Sequence, residues 1–378
     1  MKKLFLKFCL GVFIFLPGTI YGASLDEMIG QMLMVGFRGM EINDQSHIVR
    51  DITELNIGGV ILFDYDVEKK KFERNVRSPE QLEKLVDDLS QLSTDVPLLV
   101  AIDQEGGRVS RLKEKYGFKK SVSQAYLGEV DDITITGSYA LETAQVLSEL
   151  GINLNFAPVV DLNTNPDNPV IGKLDRSFSN DPQVVVRHSW EVMNAHRVFN
   201  VLTAIKHFPG HGSSREDSHL GFVDVTETWD MIELEPFREL ISDPGCDMVM
   251  TAHIFNAHLD PDWPATMSKK IIGGILRGQL GYDGVVVSDD MQMKAIREHY
   301  SLELALEKSI MAGVDIIIFG NNLVYEEGIA GRSIEIIKSL VDQGRITHER
   351  INESYERIEA LKSKLQPVEQ SNCSFCIK

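Results

Sequence analysis

Cysteine is scarce in this 378-residue chain: Cys9, Cys246, Cys373 and Cys376 are all it has. With Cys9 inside an N-terminal leader, the remaining three cannot build a disulfide framework, so stability must come from a packed core. The terminal "CSFC" could be a small disulfide or a metal pair, but no second pair accompanies it as a zinc site would require. It reads as part of a polar, disordered tail over residues 366–378.

Positive charge is also in deficit. Against 38 Lys and Arg stand 56 Asp and Glu, a formal charge of −18. Such a field repels phosphates at long range, which argues against nucleic acid and anionic membranes as partners. An anionic substrate would have to be held by local Arg and Lys.

Long hydrophobic runs are missing too. The stretch Phe8 to Leu16 follows Lys2, Lys3 and Lys7 and precedes Pro17-Gly18 and the small residues Gly22 and Ala23. It is shorter than the ~20 residues of a spanning helix. A secretory signal peptide over residues 1–22 is expected, with export to the periplasm or beyond and no stable membrane association after cleavage. Cys9 lies within the leader rather than at the cleavage point, which argues against a lipid anchor.

No internal repeat, linker or low-complexity block marks a second domain, so residues 23–365 are expected to form one. Within them, eight short apolar runs alternate with longer amphipathic stretches: "MLMVGF", "GGVILF", "LLVAID", "LNFAPV", "LTAIKH", "DMVMTA", "GVVVSD" and "DIIIFG". Continuous apolar strands belong to parallel sheets covered on both faces, and the intervening segments are long enough for crossover helices. One such helix is "SLELALEKSIMAG", with Ser301 to cap it and Gly313 to end it. Eight units suit an α/β fold, a single (β/α)8 TIM-type barrel; a doubly wound open sheet is the alternative. Polar residues end several runs: Asp103, Asn155, Lys206-His207, His253 and Asp289. They converge on one mouth only if the sheet closes.

The stretch "KHFPGHGSSREDSHLG", Lys206 to Gly221, holds three of the ten histidines. His207 and His211 have the i, i+4 spacing of a helical zinc motif, but Pro209, Gly210 and Gly212 argue against a helix. A phosphate loop is disfavoured by the absence of the P-loop lysine pattern and by two acids. A third possibility pairs Asp217 with His219: two apart in an extended segment, their side chains share a side, and the carboxylate would stabilise imidazolium as a proton donor. A solvated polar loop is the plain alternative. Asp289 provides a second carboxylate, rigidly placed at the end of a strand, while Asp290 would cap the next helix. In "AIDQEGGRVSRL", Asp103 ends a strand, Gly106-Gly107 allow a tight turn, Arg108 and Arg111 follow, and Glu105 reads as tied to the turn. Arg176 is a similar loop arginine.

Together, "AIDQEGGRVSRL", "LNFAPVVDL", "NPVIG...RSFSNDP", "KHFPGHG...DSH" and "VVVSDDMQMKAI" resemble, in that order, the β-N-acetylhexosaminidases of glycoside hydrolase family 3, of the peptidoglycan-recycling type. The resemblance covers roughly Leu25 to Leu361 and implies a lone barrel without the second α/β domain of larger members. It implies Asp289 as nucleophile, His219 as general acid/base and Asp217 as its partner. Asp103, Arg111, Arg176, Lys206 and His207 match the positions that hold the terminal N-acetylglucosamine (GlcNAc), and His211 is given a loop-shaping role. Two features depart from the pattern: the segment before Arg176 is slightly longer, and Gly221 stands where proline is usual. The expected activity is removal of terminal GlcNAc from a glycan or muropeptide substrate, without metal or organic cofactor. A phosphorylase and a non-catalytic exported carbohydrate-binding protein are the alternatives.

Overall fold

The eight apolar runs become eight parallel strands, and the strands close. They are β1 (Leu33–Gly36), β2 (Gly59–Leu62), β3 (Leu99–Ile102), β4 (Leu154–Asn155), β5 (Leu202–Phe208), β6 (Met248–Thr251), β7 (Val285–Asp290) and β8 (Ile316–Phe319). The computed structural model describes residues 22–93 and 96–365; the expected leader, apart from Gly22, and the tail with Cys373 and Cys376 lie outside the described residues. Each strand pairs with its neighbours in chain order, and β1 pairs with both β2 and β8. That last pairing excludes the open doubly wound sheet. Nearly every strand residue is buried, as expected where side chains fill the barrel on one face and meet helices on the other.

The crossover helices follow their sequence signals. Pro79–Ser90 starts with Ser78 accepting from the Gln81 amide and with proline in the first turn; it buries Leu82, Leu85, Val86 and Leu89, one stripe at helical spacing. Leu302–Ala312 is capped by Ser301 and ended by Gly313 at φ 120°, as its sequence indicates. Cys246 is buried beside β6 with a free thiol. Behind β8, the fully buried Asp315 carboxylate receives Arg277, Arg350 and Arg357 at 2.8, 3.2 and 3.2 Å, tying the last two strands to the C-terminal helix His348–Ser363.

One departure from a plain barrel bears on the site. After β2 the chain rises into a two-stranded antiparallel ribbon, Tyr65–Asp66 against Lys71–Phe72, beside the carboxyl ends of the strands.

Candidate active site

The carboxyl ends of the strands surround a cavity of about 510 Å³. Asp103, Arg111, Arg176, Lys206, His207, Asp217, His219 and Asp289, the residues to which the family resemblance gave a catalytic or sugar-holding role, line it. They come from the carboxyl ends of different strands and the loops that follow them, and barrel closure brings them together.

The wall after β3 and β5 is an ionic lattice. Lys206, 2% exposed, donates to Asp103 at 2.9 Å and lies 2.6 Å from Glu105. Arg111 donates to the other Asp103 oxygen at 3.1 Å, and Arg176 grips Glu105 with two bonds of 2.8 and 2.7 Å. Burial opposes ionisation of Asp103, but Lys206 and Arg111 outweigh it and hold the carboxyl well below its ordinary range. Glu105 is likewise lowered, burial being overcome by Arg176 and Lys206. Glu105 is therefore more than a turn residue: it lines the cavity and orients both cations. Glu105→Leu is expected to destabilise the fold by about 3–5 kcal/mol, the usual cost of breaking a buried pair from one side. A fall in the urea midpoint measures it.

Local sequence sets this wall. Gly106 and Gly107 turn at φ 102° and 58°, and a Cβ on Gly107 would stand 2.6 Å from that of Ser123. Gln104 then accepts from the amides of Arg111 and Leu112, and Asn155 accepts from the Gln104 amide at 3.0 Å. Asn155 thus braces the loop from a fully buried position and, like the buried His253 after β6, does not line the cavity, unlike Asp103, Lys206, His207 and Asp289.

His207 stands on Asp161, Nδ1 to Oδ2 at 2.6 Å, and Arg176 donates to Nε2 at 3.2 Å. Nδ1 thus donates to Asp161, which fixes the orientation of the ring. The other Asp161 oxygen accepts the amides of His207 and His211 at 3.2 and 2.8 Å. His211 bonds to Ser214 and, at 3.4 Å, to Ser218, and burial lowers its pKa to about 4. It shapes the loop. His207 and His211 meet ring edge to ring face outside any helix, and among the described residues no cluster of three His, Cys, Asp or Glu could hold a metal ion.

The loop from His211 to Gly221 lies folded over the cavity. Asn168 donates to the carbonyls of His211 and Gly212, Asn165 to that of Ser214, and the Ala295 amide to that of Ser218 at 3.3 Å. A Cβ on Gly212 would fall 1.7 Å from the Leu162 carbonyl oxygen, so only glycine permits this approach. Glu233 accepts the Gly212 amide at 3.0 Å from beneath, its carboxyl pushed up to about 7 by burial.

Asp217 and His219 do pair, but a turn rather than an extended segment makes the contact. The Leu220 and Gly221 amides fold back onto the Asp217 carbonyl, and Asp217 Oδ1 meets both the His219 amide and Nδ1 at 2.8 Å. Nε2 is left for the cavity. Burial lowers the His219 pKa, while the Asp217 hydrogen bond and the charge of Asp289 raise it; the net direction is upward. The Gly221 amide is engaged in the turn, and a Cβ there would meet open space.

Asp289 ends β7. Burial pushes its carboxyl up, but His253, His207 and His219 outweigh this and leave it lowered, hence ionised at neutral pH. Asp290 behaves oppositely. Its Oδ1 accepts the amides of Gln292 and Gly320, each at 3.0 Å, and burial raises it to about 6. It was expected to cap the next helix; that helix begins only at Lys294, with Met293 at the cap, and Asp290 instead knots the turn before it to β8.

The cavity thus sets an ionised strand-end carboxylate opposite an Asp-His pair, walled by Asp103, Lys206 and Arg176. The model of the glycosyl hydrolase family 3 N-terminal domain matches residues 24–361. The chain belongs to glycosyl hydrolase family 3. Among family 3 relatives, it is 35% identical to the beta-hexosaminidase A of Pseudoalteromonas piscicida, covering 94% of this chain and 63% of that one. It is 32% identical to the beta-hexosaminidase of Nitrosomonas eutropha, with 84% and 88% covered. The fold matches the family 3 beta-N-acetylglucosaminidase of Paenibacillus with a TM-score of 0.83 at 36% identity, over 94% of this chain and 66% of that chain. It matches the beta-N-acetylhexosaminidase of Beutenbergia cavernae with a TM-score of 0.80 at 30% identity, over 90% and 99%. The chain thus spans less than two thirds of some longer relatives and nearly all of others.

Within this family 3 site, three acids escape sequence reasoning: Glu105 as an ion-pair hub, Asp161 beneath His207, and Glu233 beneath the loop. Asp161 lies in "LNFAPVVDL" and follows β4, a positional signal open to use. Glu233 carries none, because it meets Gly212 across 21 residues.

Proposed function

We propose that the chain is a retaining exo-β-N-acetylglucosaminidase acting on terminal GlcNAc of peptidoglycan fragments after export. The observation that carries the proposal is the facing of Asp289 and the Asp217-His219 pair across one cavity. The printed activities of the family 3 relatives support the substrate sugar.

Asp103, Arg111, Arg176, Lys206 and His207 hold the hydroxyls of the terminal sugar, charged groups being strong partners for them. Asp289, kept ionised by its histidine neighbours, attacks the anomeric carbon. His219, raised toward its protonated form, gives a proton from Nε2 to the departing glycosidic oxygen. The neutral imidazole then takes a proton from water, which attacks the anomeric carbon and frees Asp289 with overall retention. Asp217 holds the ring through Nδ1 in both steps. The leader pattern at residues 1–22 supports export.

Release of aryl alcohol from aryl-β-GlcNAc, with an aryl-β-glucoside cleaved far more slowly, is the expected result, unchanged by a chelator. GlcNAc should appear as the free sugar in phosphate buffer; a sugar 1-phosphate would replace hydrolysis by phosphorolysis. No turnover would leave a carbohydrate-binding protein.

A further inference from the structure

Glu233, 1% exposed, does not line the cavity, yet its carboxyl lies under the root of the loop that carries Asp217 and His219. It stands in the tight turn Met231–Leu234, which Asp230 opens by accepting the Ile232 amide at 2.9 Å. Just before that turn, the Trp229 indole donates to the Pro209 carbonyl at 3.1 Å, fixing the segment to the end of β5. Gly210, at φ 118°, passes directly over the Glu233 side chain. A Cβ there would stand 2.6 Å from the Glu233 Cβ and 2.9 Å from Oε2, so the approach requires glycine.

Side chains from outside the loop take every backbone polar group of His211 and Gly212. Asp161 accepts the His211 amide at 2.8 Å, Glu233 accepts the Gly212 amide at 3.0 Å, and Asn168 donates to the two carbonyls at 2.8 and 3.0 Å. Buried backbone groups require such partners. Nearer the tip the hold is looser: the Ala295 amide reaches the Ser218 carbonyl at 3.3 Å, and His211 reaches the Ser218 hydroxyl at 3.4 Å. The His219 side chain itself is half exposed. Its place is therefore set mainly at the root. Two of the three root partners have other work, since Asp161 also holds the His207 ring and Asn168 also accepts the amides of Val170 and Ile171. Glu233 serves the loop alone among the described residues. Its Oε1 and the Ser213 hydroxyl lie buried beside one another with no partner elsewhere among those residues, so lifting the loop would strand both.

We infer that Glu233 is a positioning residue for the proton-transfer step: it seats the Gly210 to Ser213 root and thereby sets where the His219 imidazole stands relative to Asp289. The inference rests on the glycosidase reading above and adds to it a residue that acts on the chemistry through His219, without touching substrate. What the role demands of Glu233 is an acceptor at Oε2, because the contact that matters is the Gly212 amide. Misplacing a catalytic group by about 1 Å can cost about a hundredfold in rate, even when the change lies away from the reacting atoms. The sugar-holding wall of Asp103, Arg111, Arg176 and Lys206 bonds among its own members and to Glu105, so Glu233 should bear on turnover more than on substrate binding.

The test measures kcat/KM on GlcNAc-β-1,4-GlcNAc and on a series of aryl-β-GlcNAc substrates graded by leaving-group acidity. Glu233→Leu, which removes the acceptor, should lower kcat/KM on the disaccharide about a hundredfold, mainly through kcat. Along the aryl series the loss should grow as the leaving group becomes more basic and more dependent on a proton from His219. Glu233→Gln keeps an acceptor for the Gly212 amide and should recover most of the activity. In a His219→Ala background, adding Glu233→Leu should change kcat/KM on the disaccharide by no more than about twofold, because the group it positions is gone. If the thermal midpoint shows the Leu variant to be unfolded, Glu233→Asp makes the same comparison, since it keeps the charge and shortens the reach. A loss equal across the aryl series, a full further loss in the His219→Ala background, a Gln variant as impaired as Leu, or a folded Leu variant with unaltered turnover each overturns the inference. Aryl-GlcNAc turnover by the unmodified chain keeps the glycosidase reading in all four cases. Absence of that turnover overturns the glycosidase reading, and the role of Glu233 with it.

Discussion

Asp289→Asn is expected to lower turnover of aryl-GlcNAc about ten-thousandfold, roughly 5 kcal/mol of transition-state stabilisation, with little change in substrate binding. An amide is nearly isosteric but a poor nucleophile, so the glycosyl-enzyme of the proposed mechanism should not form. Asp289 is also the charge toward which His253, His207 and His219 are arranged, and its loss removes an attraction that raises His219. The neighbour gives the control. Asp290 spends its Oδ1 on the amides of Gln292 and Gly320 and is raised to about 6, so Asp290→Asn keeps an acceptor there and should disturb stability more than chemistry. Trapping with a fluorinated GlcNAc donor, followed by peptide mass analysis, should label Asp289. Label on Asp290, or similar losses of kcat in the two variants, would overturn the assignment.

The second large effect concerns His219. His219→Ala should reduce kcat/KM for disaccharides about 10²- to 10⁴-fold, the range general acid catalysis supplies. For aryl glycosides with very acidic leaving groups the loss of kcat/KM should be small, because a good leaving group departs without a proton. Equal losses on both classes would count against the acid role. The pH profile gives an independent check. In the proposed mechanism the first step needs Asp289 ionised and His219 protonated, so kcat/KM should fall on the acid side as Asp289 takes up a proton, below its ordinary value. On the alkaline side it should fall as His219 loses its proton, above 6.5. Asp217→Asn removes the hydrogen bond and charge that raise His219, and the alkaline limb should move to lower pH. An unmoved limb would mean that another group sets it.

Much of the site was legible because barrel geometry turns a one-dimensional pattern into a place. Asp103, Lys206, His207 and Asp289 end or follow apolar runs, and the carboxyl ends of parallel strands share one face of a closed sheet. The pairing of Asp217 with His219 was also legible, although its cause was not: a spacing of two suits an extended strand, whereas the chain makes the contact through a turn that folds amides onto Asp217. Glu105 looked like a turn residue because its partners, Arg176 and Lys206, lie 71 and 101 residues away; no local pattern carries such a pairing. Asp290 as a helix cap failed for a related reason, since the Gly320 amide that helps fix it comes from the next strand.

The lysine-rich stretch after β2 is another case of contacts that only the tertiary structure supplies. In sequence, "DYDVEKKKFER" is a balanced run of charges that any solvated loop could carry. Folded, Asp66 and Glu68 take Arg38 and Asp64 takes Lys113, while Lys69, Lys70 and Lys71 stay exposed.

By itself the sequence determined eight strand-helix units of a parallel α/β fold, with a closed barrel as the expected form, and strand-end position marked Asp103, Lys206, His207 and Asp289, because alternation and position are local properties; the loop residues of the site came from the family resemblance. Only the tertiary structure decided which carboxylate stays ionised, which is buried as a brace, and which cations are already paired. Those outcomes depend on burial and on opposite charges brought within a few ångströms from distant parts of the chain, and no sequence spacing encodes that distance.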